Sequence, residues 1–343
     1  MDDVIAFDRS LFKRNAKVNL KGKYGSAVLI VFLAQIFSQF LVRMTTYISG
    51  FFTTINTLNV GLLFDVSDVN LSDILYDVFR ELYELFYANR LLFIILILVN
   101  AVVTVCSALL IGNLIRIGMK RWFLRTSNPH QNATTIMAPL FSSYRYGRFL
   151  STFRGTAWKS LWLIVWSLPV IVLNILFIVP ALQLIDTLVR IGSDLSTFDL
   201  LERTQLTYGL PSFFYSPAFF IVVGIVIFVL SIVLLFKSYQ YKMTDYILAD
   251  NPFIGARRAL TISKQMSKGS LWRFFVIDLS FAGWFLLAVM CICLAGIGVL
   301  FLLPYHEATW VEVYKNRRDN MVARRELSME ELGYVRQLTG DNG

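Results

Sequence analysis

The stretch PAFFIVVGIVIFVLSIVLLF, residues 217–236, decides the fold class of this chain because it holds no charged side chain. A helix needs about 20 apolar residues to cross a bilayer core of roughly 30 Å, where every backbone polar group must be paired internally. Further apolar runs of sufficient length lie at residues 25–44, 91–117, 158–182 and 274–303. We therefore predict an all-α, polytopic integral membrane helix bundle.

The last of these runs is too long for one comfortable span. Gly296 and Gly298 weaken a helix and permit a tight reversal. We divide the run there into a fifth span, 274–294, and a sixth, 297–314. Residues 1–316 then form a single transmembrane domain, and residues 317–343 form a basic and then polar cytoplasmic tail.

The composition of the whole chain agrees with a membrane protein. Of 343 residues, 56% are hydrophobic and 16% are charged, whereas soluble domains carry roughly 25% charged residues. The net charge of +9 would indicate nucleic acid or another acidic partner in a soluble protein. Here we interpret it as membrane topology and expect no nucleic-acid partner.

The basic residues are concentrated in the leader, in the loops after spans two and four, and in the tail. The connections after spans one and three, residues 45–90 and 183–216, are acidic by contrast. The positive-inside rule then predicts a multi-pass protein of the cell membrane with both termini in the cytoplasm. This orientation requires an even number of spans, which six satisfies.

The external connection 45–90 contains a segment with helical spacing of apolar residues from Leu71 to Phe86 and an acidic face. We interpret it as a structural lid, with a docking face for a basic partner as the alternative. The other connection, 183–216, is rich in aromatic residues, as is typical of a membrane interface.

Basic side chains on the cytoplasmic side are candidate contacts for anionic lipid headgroups. Lys13, Lys17 and Lys21 fall four residues apart and predict a basic stripe on a leader helix. The loop after span two alternates bases with aromatics, and a predicted amphipathic helix at 253–266 is basic as well. These two segments supply the remaining candidates, Arg145, Arg148, Arg154, Arg257 and Arg258.

Four ionisable residues at predicted membrane depth form the candidate polar site: Asp278, His306, Glu307 and Glu312. Ionisable groups in that position are costly and mark functional sites by default. The alternative interpretation is that they are hydrogen-bonded polar groups that hold the bundle together. We find no catalytic motif and expect no catalytic residues, no metal and no cofactor.

The ordered motifs between Tyr241 and Tyr314 are distinctive. They comprise YKMTDYILADNP (241–252), ALTIS (259–263), MSKG (266–269), WRFF (272–275), DLSFAGW (278–284), GIG (296–298) and PY (304–305). Together with the leader RNAKVNLKGKYG (14–25), they resemble an uncharacterised family of bacterial multi-helix membrane proteins, common in Gram-positive species. That family is known as domain of unknown function nine hundred seventy-five. The resemblance implies a six-helix plasma-membrane protein and supplies no established activity.

Two function hypotheses follow. The first is a non-enzymatic membrane protein that engages anionic lipid or a partner membrane protein in envelope or transport functions. The alternative is a transporter or channel for a small molecule, ion or lipid, with its polar site at the fifth and sixth spans. An intramembrane enzyme is a third and weaker hypothesis, because no nucleophile and base can be assembled from the motifs.

Overall fold

The computed structural model describes residues 4–58, 89–128, 135–191, 197–290 and 297–334. Over these residues the chain is α-helical, with short 3₁₀ and π segments and no strand, so the predicted all-α fold class is confirmed. The predicted lid helix, the GIG glycine Gly296 and the end of the tail lie outside the described residues. The helices are α1 (Arg9–Leu20), α2 (Tyr24–Leu58), α3 (Arg90–Ser107), α4 (Asn113–Thr126), α5 (Met137–Leu140), α6 (Phe149–Ile191), α7 (Thr197–Tyr208), α8 (Pro217–Lys242), α9 (Thr244–Asp250), α10 (Ala256–Ser267), α11 (Leu271–Met290) and α12 (Ile297–Ala323).

Five helical stretches in the described residues are long and apolar enough to cross a membrane. The predicted sixth span, 297–314, lies in α12, which is helical but is not among these five, so a count of six spans stays a prediction. The five stretches are Tyr24–Ile48, Leu91–Thr126, Phe149–Thr187, Pro217–Asp250 and Leu271–Val289.

Several helices run further than the sequence predicts. The third apolar helix, α6, continues past Leu182 to Ile191 although Pro169 and Pro180 lie inside it. Prolines are tolerated in membrane helices because neighbouring groups satisfy the freed backbone carbonyls. The predicted connection 183–216 contains the end of α6 and all of α7.

The helix that follows the turn at Asp250-Asn-Pro252 begins later than residue 253, where the sequence predicts it. Asn251 Oδ1 accepts a hydrogen bond from the Phe253 backbone N–H at 2.9 Å. Gly255 then adopts a φ of 80° before α10 begins at Ala256. Glycine adopts this positive φ without steric cost, and the helix therefore begins at Ala256 and not at residue 253.

The chain divides into two compact units. Unit 1 comprises residues 1–40, 105–163 and 236–343, and unit 2 comprises residues 41–104 and 164–235. In unit 2, Thr204 Oγ1 donates a hydrogen bond to Thr187 Oγ1 at 3.0 Å, and the Tyr215 hydroxyl donates one to Gln183 Oε1 at 2.7 Å.

Unit 1 is built around α12. Trp310, Val313 and Tyr314 on this helix are fully buried, as are Trp122 of α4 and Tyr246 of α9. Because the seven consecutive residues 308–314 are all buried, this part of α12 is enclosed on every side, whereas Phe301 in its first turns is exposed. The sequence alone reads the same residues as a moderately apolar membrane span.

Segments far apart in the sequence meet around the second half of α12. The Asn320 side chain bonds both the backbone N–H and the carbonyl of Ile5, at 2.8 and 3.0 Å. Lys315 Nζ donates to the carbonyl of Ser127 at 2.9 Å, and Arg317 Nε donates to the carbonyl of Met266 at 2.9 Å. The leader, the loop after α4 and the end of α10 therefore each contact α12.

Candidate functional site

Asp278 on α11 is the centre of a polar group in unit 1 that we call the Asp278 cluster. Its Oδ1 accepts hydrogen bonds from His306 Nε2 at 2.8 Å and from Trp310 Nε1 at 2.7 Å. Its Oδ2 accepts from the Tyr239 hydroxyl at 2.8 Å and from Lys242 Nζ at 3.0 Å. An ionised carboxylate offers about four acceptor positions, so all positions on Asp278 are taken.

The Lys242 ammonium is held by rings as well as by charge. It lies 3.5 Å from the centroid of the Trp310 ring and 5.2 Å from that of Tyr239. Both distances are within the roughly 6 Å of a cation–π contact. One lysine thus joins α8, α11 and α12 through a carboxylate and two aromatic side chains.

The geometry around His306 assigns its proton. Trp310 Nε1 also lies 3.1 Å from His306 Nε2, but an indole nitrogen only donates. Since both nitrogens approach Asp278 Oδ1 more closely, both are donors to that oxygen, and His306 carries a proton on Nε2. Its Nδ1 is buried and has no hydrogen-bond partner among the described residues.

Glu307 belongs to a second group, the Lys120 cluster, although it is next to His306 in the sequence. Glu307 Oε2 accepts a hydrogen bond from the Tyr246 hydroxyl at 3.1 Å and lies 4.0 Å from Lys120 Nζ. Lys120 Nζ is also 3.9 Å from Asp245 Oδ2, and Lys159 Nζ contacts Asp245 Oδ1 at 2.7 Å. Adjacent helical residues point about 100° apart, which explains why His306 and Glu307 join different groups.

Glu312 lies apart from both clusters and connects α12 to the leader helix. Its Oε1 accepts hydrogen bonds from Asn19 Nδ2 and from Lys315 Nζ, each at 3.0 Å. Asn15 Nδ2 lies 3.5 Å from its other oxygen. Of the four candidate polar residues, the structure thus brings only Asp278 and His306 into direct contact.

The sequence prediction missed the partners that complete these clusters. The sequence predicts a cytoplasmic loop directly after the apolar run 217–236. In the structure this part of the chain is helical, with Tyr239 and Lys242 on α8 and Asp245 on α9. The available signal was the helical continuation of that run up to Asp250. The predicted loop after span four therefore begins too early, because the helix continues past Phe236.

The leader lysines have unequal surroundings. The helix α1 is capped by Asp8, which accepts a hydrogen bond from the Ser10 backbone N–H at 2.8 Å, and it packs Phe12, Ala16 and Leu20 inward. Lys13 points over the ring of Phe281, with Nζ 4.5 Å from the centroid.

Lys17 and Lys21 border a cavity of about 520 Å³ that we call the leader groove. It lies between the end of α1 and the first turns of α12. Tyr24 also lines it, and the Tyr24 hydroxyl donates a hydrogen bond to the carbonyl of Phe301. The remaining lining residues are Val18, Leu20, Gly22, Leu302 and Tyr305.

Burial lowers the pKa of the Lys13 ammonium, and the neighbouring charges of Arg9 and Lys17 lower it further. The leader helix therefore carries like charges that repel one another. None of the described residues that line the leader groove is acidic.

The other predicted lipid contacts differ in their exposure and in the side chains that they contact. Arg145 and Arg154 are exposed and Arg148 is half-buried. Arg257 lies over the Trp158 ring, with its guanidinium carbon 5.4 Å from the centroid. Arg258 forms a two-pronged ion pair with Glu331 at 2.6 and 3.1 Å, and this hydrogen bonding lowers the pKa of Glu331 from its ordinary value.

Five apolar helices of membrane length, together with charged clusters buried inside unit 1, define a polytopic α-helical membrane protein. The chain belongs to the family described as Protein of unknown function (DUF975), whose model matches residues 6–321. The resemblance seen in the sequence is thereby confirmed. No curated protein and no solved structure matches the chain.

Proposed function

We propose that this protein is a non-enzymatic, multi-pass protein of the cell membrane that binds an anionic phospholipid in the leader groove. The observation that carries the proposal is the composition of that groove. Two lysines, Lys17 and Lys21, stand at an otherwise mostly apolar cavity. A phospholipid with a negative headgroup matches such a site, because its phosphate pairs with the ammonium groups while apolar carbons enter the groove.

The place of the groove in the chain supports the same occupant. It lies directly before the first apolar helix, whose membrane-length part starts at Tyr24. A cavity at that position is level with the headgroup region if the helix crosses the bilayer. Lysines near an anionic surface contribute about 1 kcal/mol each.

Uncompensated charge on the leader gives a further reason. The pKa of Lys13 is lowered in part by Arg9 and Lys17, which reports repulsion within one helix. An anionic headgroup beside Lys17 would offset that repulsion. Binding would then stabilise the leader helix in its position against α12.

The proposed orientation has both termini in the cytoplasm. The contacts of Ile5, Ser127 and Met266 with α12 support it, because these residues belong to three of the segments that the positive-inside rule assigns to one side. A reporter fused after Arg325 should then show cytoplasmic activity. External activity of that fusion would contradict the orientation.

The lipid proposal is tested by removing two charges at the groove and two elsewhere on the same helix. Full-length protein carrying Lys17→Gln and Lys21→Gln should retain phosphatidylglycerol about 30-fold more weakly than wild type, at about 1 kcal/mol per lysine. Native mass spectrometry in mixed phosphatidylglycerol and phosphatidylcholine measures the retention.

The matched control carries Arg9→Gln and Arg14→Gln, which remove the same charge from exposed positions that do not line the groove. This variant should retain phosphatidylglycerol as wild type does. Equal losses in both variants would mean that general surface charge, and not the groove, holds the lipid.

A further inference from the structure

A second cavity in unit 1 is unlike the leader groove, because arginines line it. It has a volume of about 300 Å³ and lies between α4, the segment before α6, the end of α9 and the C-terminal segment. We call it the arginine pocket. The residues that matter for its chemistry are Arg121, Arg125, Arg148, Asp250 and Tyr334.

Arg121 forms the fixed wall of the arginine pocket. Its Nε donates to the carbonyl of Ala249 at 2.8 Å, and its Nη2 donates to that of Leu248 at 3.3 Å. Its Nη1 donates to Ser142 Oγ at 2.5 Å. Every one of these acceptors is neutral, so hydrogen bonds position the buried guanidinium, and among the described residues it forms no ion pair.

Arg125 and Arg148 bring two more positive charges to the same cavity. Arg125 follows Arg121 by four residues and so lies on the same face of α4. Neither side chain forms a hydrogen bond or ion pair within the part of the chain that the structure describes. Three guanidinium groups thus converge on one cavity, and like charges gathered in this way repel one another unless an anion lies between them.

Asp250 is the one carboxylate among the described residues that line the cavity. Its oxygens already accept hydrogen bonds from the hydroxyls of Tyr314 at 2.6 Å and Tyr334 at 3.2 Å. Tyr334 in turn accepts from Arg318 Nη1 at 2.9 Å. Asp250 therefore holds the C-terminal segment in place as one wall of the arginine pocket. Three arginines face this single carboxylate among the described lining residues.

We propose that the arginine pocket binds a phosphate group. Guanidinium groups match phosphate oxygens through paired, charge-assisted hydrogen bonds, and clusters of arginines recognise phosphorylated ligands in many proteins. The volume lies at the lower end of the roughly 300–1,000 Å³ of small-ligand sites. The ligand is accordingly a small phosphate compound or the phosphate headgroup of a lipid.

The two sources of phosphate are distinguished with full-length protein in phosphatidylcholine nanodiscs. Calorimetric titration with inorganic pyrophosphate tests the free form. Arg125→Gln with Arg148→Gln should weaken pyrophosphate binding at least about tenfold. The pair is chosen because neither side chain supports the fold, which a thermal unfolding curve will verify.

The matched control is Lys17→Gln with Lys21→Gln, which removes equal charge at the leader groove and should leave pyrophosphate binding unchanged. The lipid form is tested in that same lysine-free background by native mass spectrometry. Adding Arg125→Gln and Arg148→Gln there should release the remaining phosphatidylglycerol if the pocket holds a lipid headgroup.

If the arginine substitutions weaken pyrophosphate binding, the result supports a site for a free phosphate compound. If they release phosphatidylglycerol, it supports a site for a lipid headgroup. If the arginine substitutions change neither pyrophosphate binding nor phosphatidylglycerol retention, the proposal is overturned. Because the lysines and arginines are varied separately, failure of the arginine pocket leaves the test of the leader groove intact.

Discussion

Among single residues, Asp278 decides how the polar interior of unit 1 is understood. Its four acceptor positions are filled by four different side chains. Tyr239 and Lys242 belong to α8, and His306 and Trp310 belong to α12. A carboxylate that binds a transported ion needs at least one position free for it. The saturation of Asp278 therefore favours a role in holding three helices together over the transport alternative.

Asp278→Asn tests this structural role. The amide cannot serve Lys242 and His306 as the carboxylate does, and a lost hydrogen bond to a charged, largely buried group costs on the order of 2 kcal/mol. The free energy of unfolding in detergent should fall by that amount. Asp319→Asn is the control, because Asp319 is 42% exposed and such surface pairs contribute about 1 kcal/mol or less. If the Asp278 variant is as stable as the control, the structural role is wrong.

The candidate polar residues could be named from the sequence, but their pairings could not. The sequence identifies Asp278, His306 and Glu307 as candidates for a polar site because ionisable residues are rare within apolar runs. The sequence could not reveal that His306 and Glu307 turn into different clusters with Lys242 and Lys120. Those partnerships depend on how α4, α8 and α12 pack, and no local pattern records that packing.

Among the elements, α12 carries the predicted sixth span and continues beyond it to Ala323. The sequence presents residues 297–314 as a moderately apolar membrane span that contains Pro304. In the structure Pro304 lies inside a continuous helix, and near it the Tyr24 hydroxyl donates to the carbonyl of Phe301. A side chain from another helix thus bonds a backbone carbonyl close to the proline, as membrane proteins commonly allow.

Gly118 lies where α4 and α5 approach each other closely. A methyl group at this position would lie 2.0 Å from the carbonyl oxygen of Leu140 at the end of α5. Because backbone cannot yield as a flexible side chain does, Gly118→Ala should lower the free energy of unfolding by about 3 kcal/mol. Thermal unfolding in detergent measures the change.

Gly224→Ala in α8 is the matched control for that substitution. No atom lies within 4 Å of the added methyl group, and alanine is favoured over glycine in helices by about 1 kcal/mol. This variant should be at least as stable as wild type. Equal stability of the two variants would mean that α4 and α5 do not approach as closely as described.

The boundaries of elements were less predictable than their type. Apolar runs identify membrane-length helices reliably because the bilayer fixes their minimum length. They do not identify where a helix ends, since α6 and α8 continue through polar residues that other helices bury. The start of the predicted helix 253–266 lies at Ala256 because Gly255, with its positive φ, precedes the first turn of α10.

For the whole molecule, the sorting of charge along the sequence has a counterpart in unit 1. The leader, the loop after α4 and the end of α10 are basic segments, and each of them contacts the second half of α12, which is also basic. The leader borders the leader groove together with the first turns of α12, and α4 borders the arginine pocket together with the segment before α6 and the C-terminal segment. Charge counting could predict that these segments share a side, whereas the two cavities emerge only from the packing of α1 and α4 against their neighbours.

The central claim is that an anionic phospholipid occupies the leader groove, and covalent labelling tests it most directly. Full-length protein in phosphatidylcholine nanodiscs is illuminated with a phosphatidylglycerol analogue that carries a photoreactive group near its glycerol, and the labelled peptides are sequenced. We predict labels within residues 17–24 and 302–305 that unlabelled phosphatidylglycerol displaces and added phosphatidylcholine does not. Labels absent from both segments, or displaced equally by the two lipids, would contradict the account.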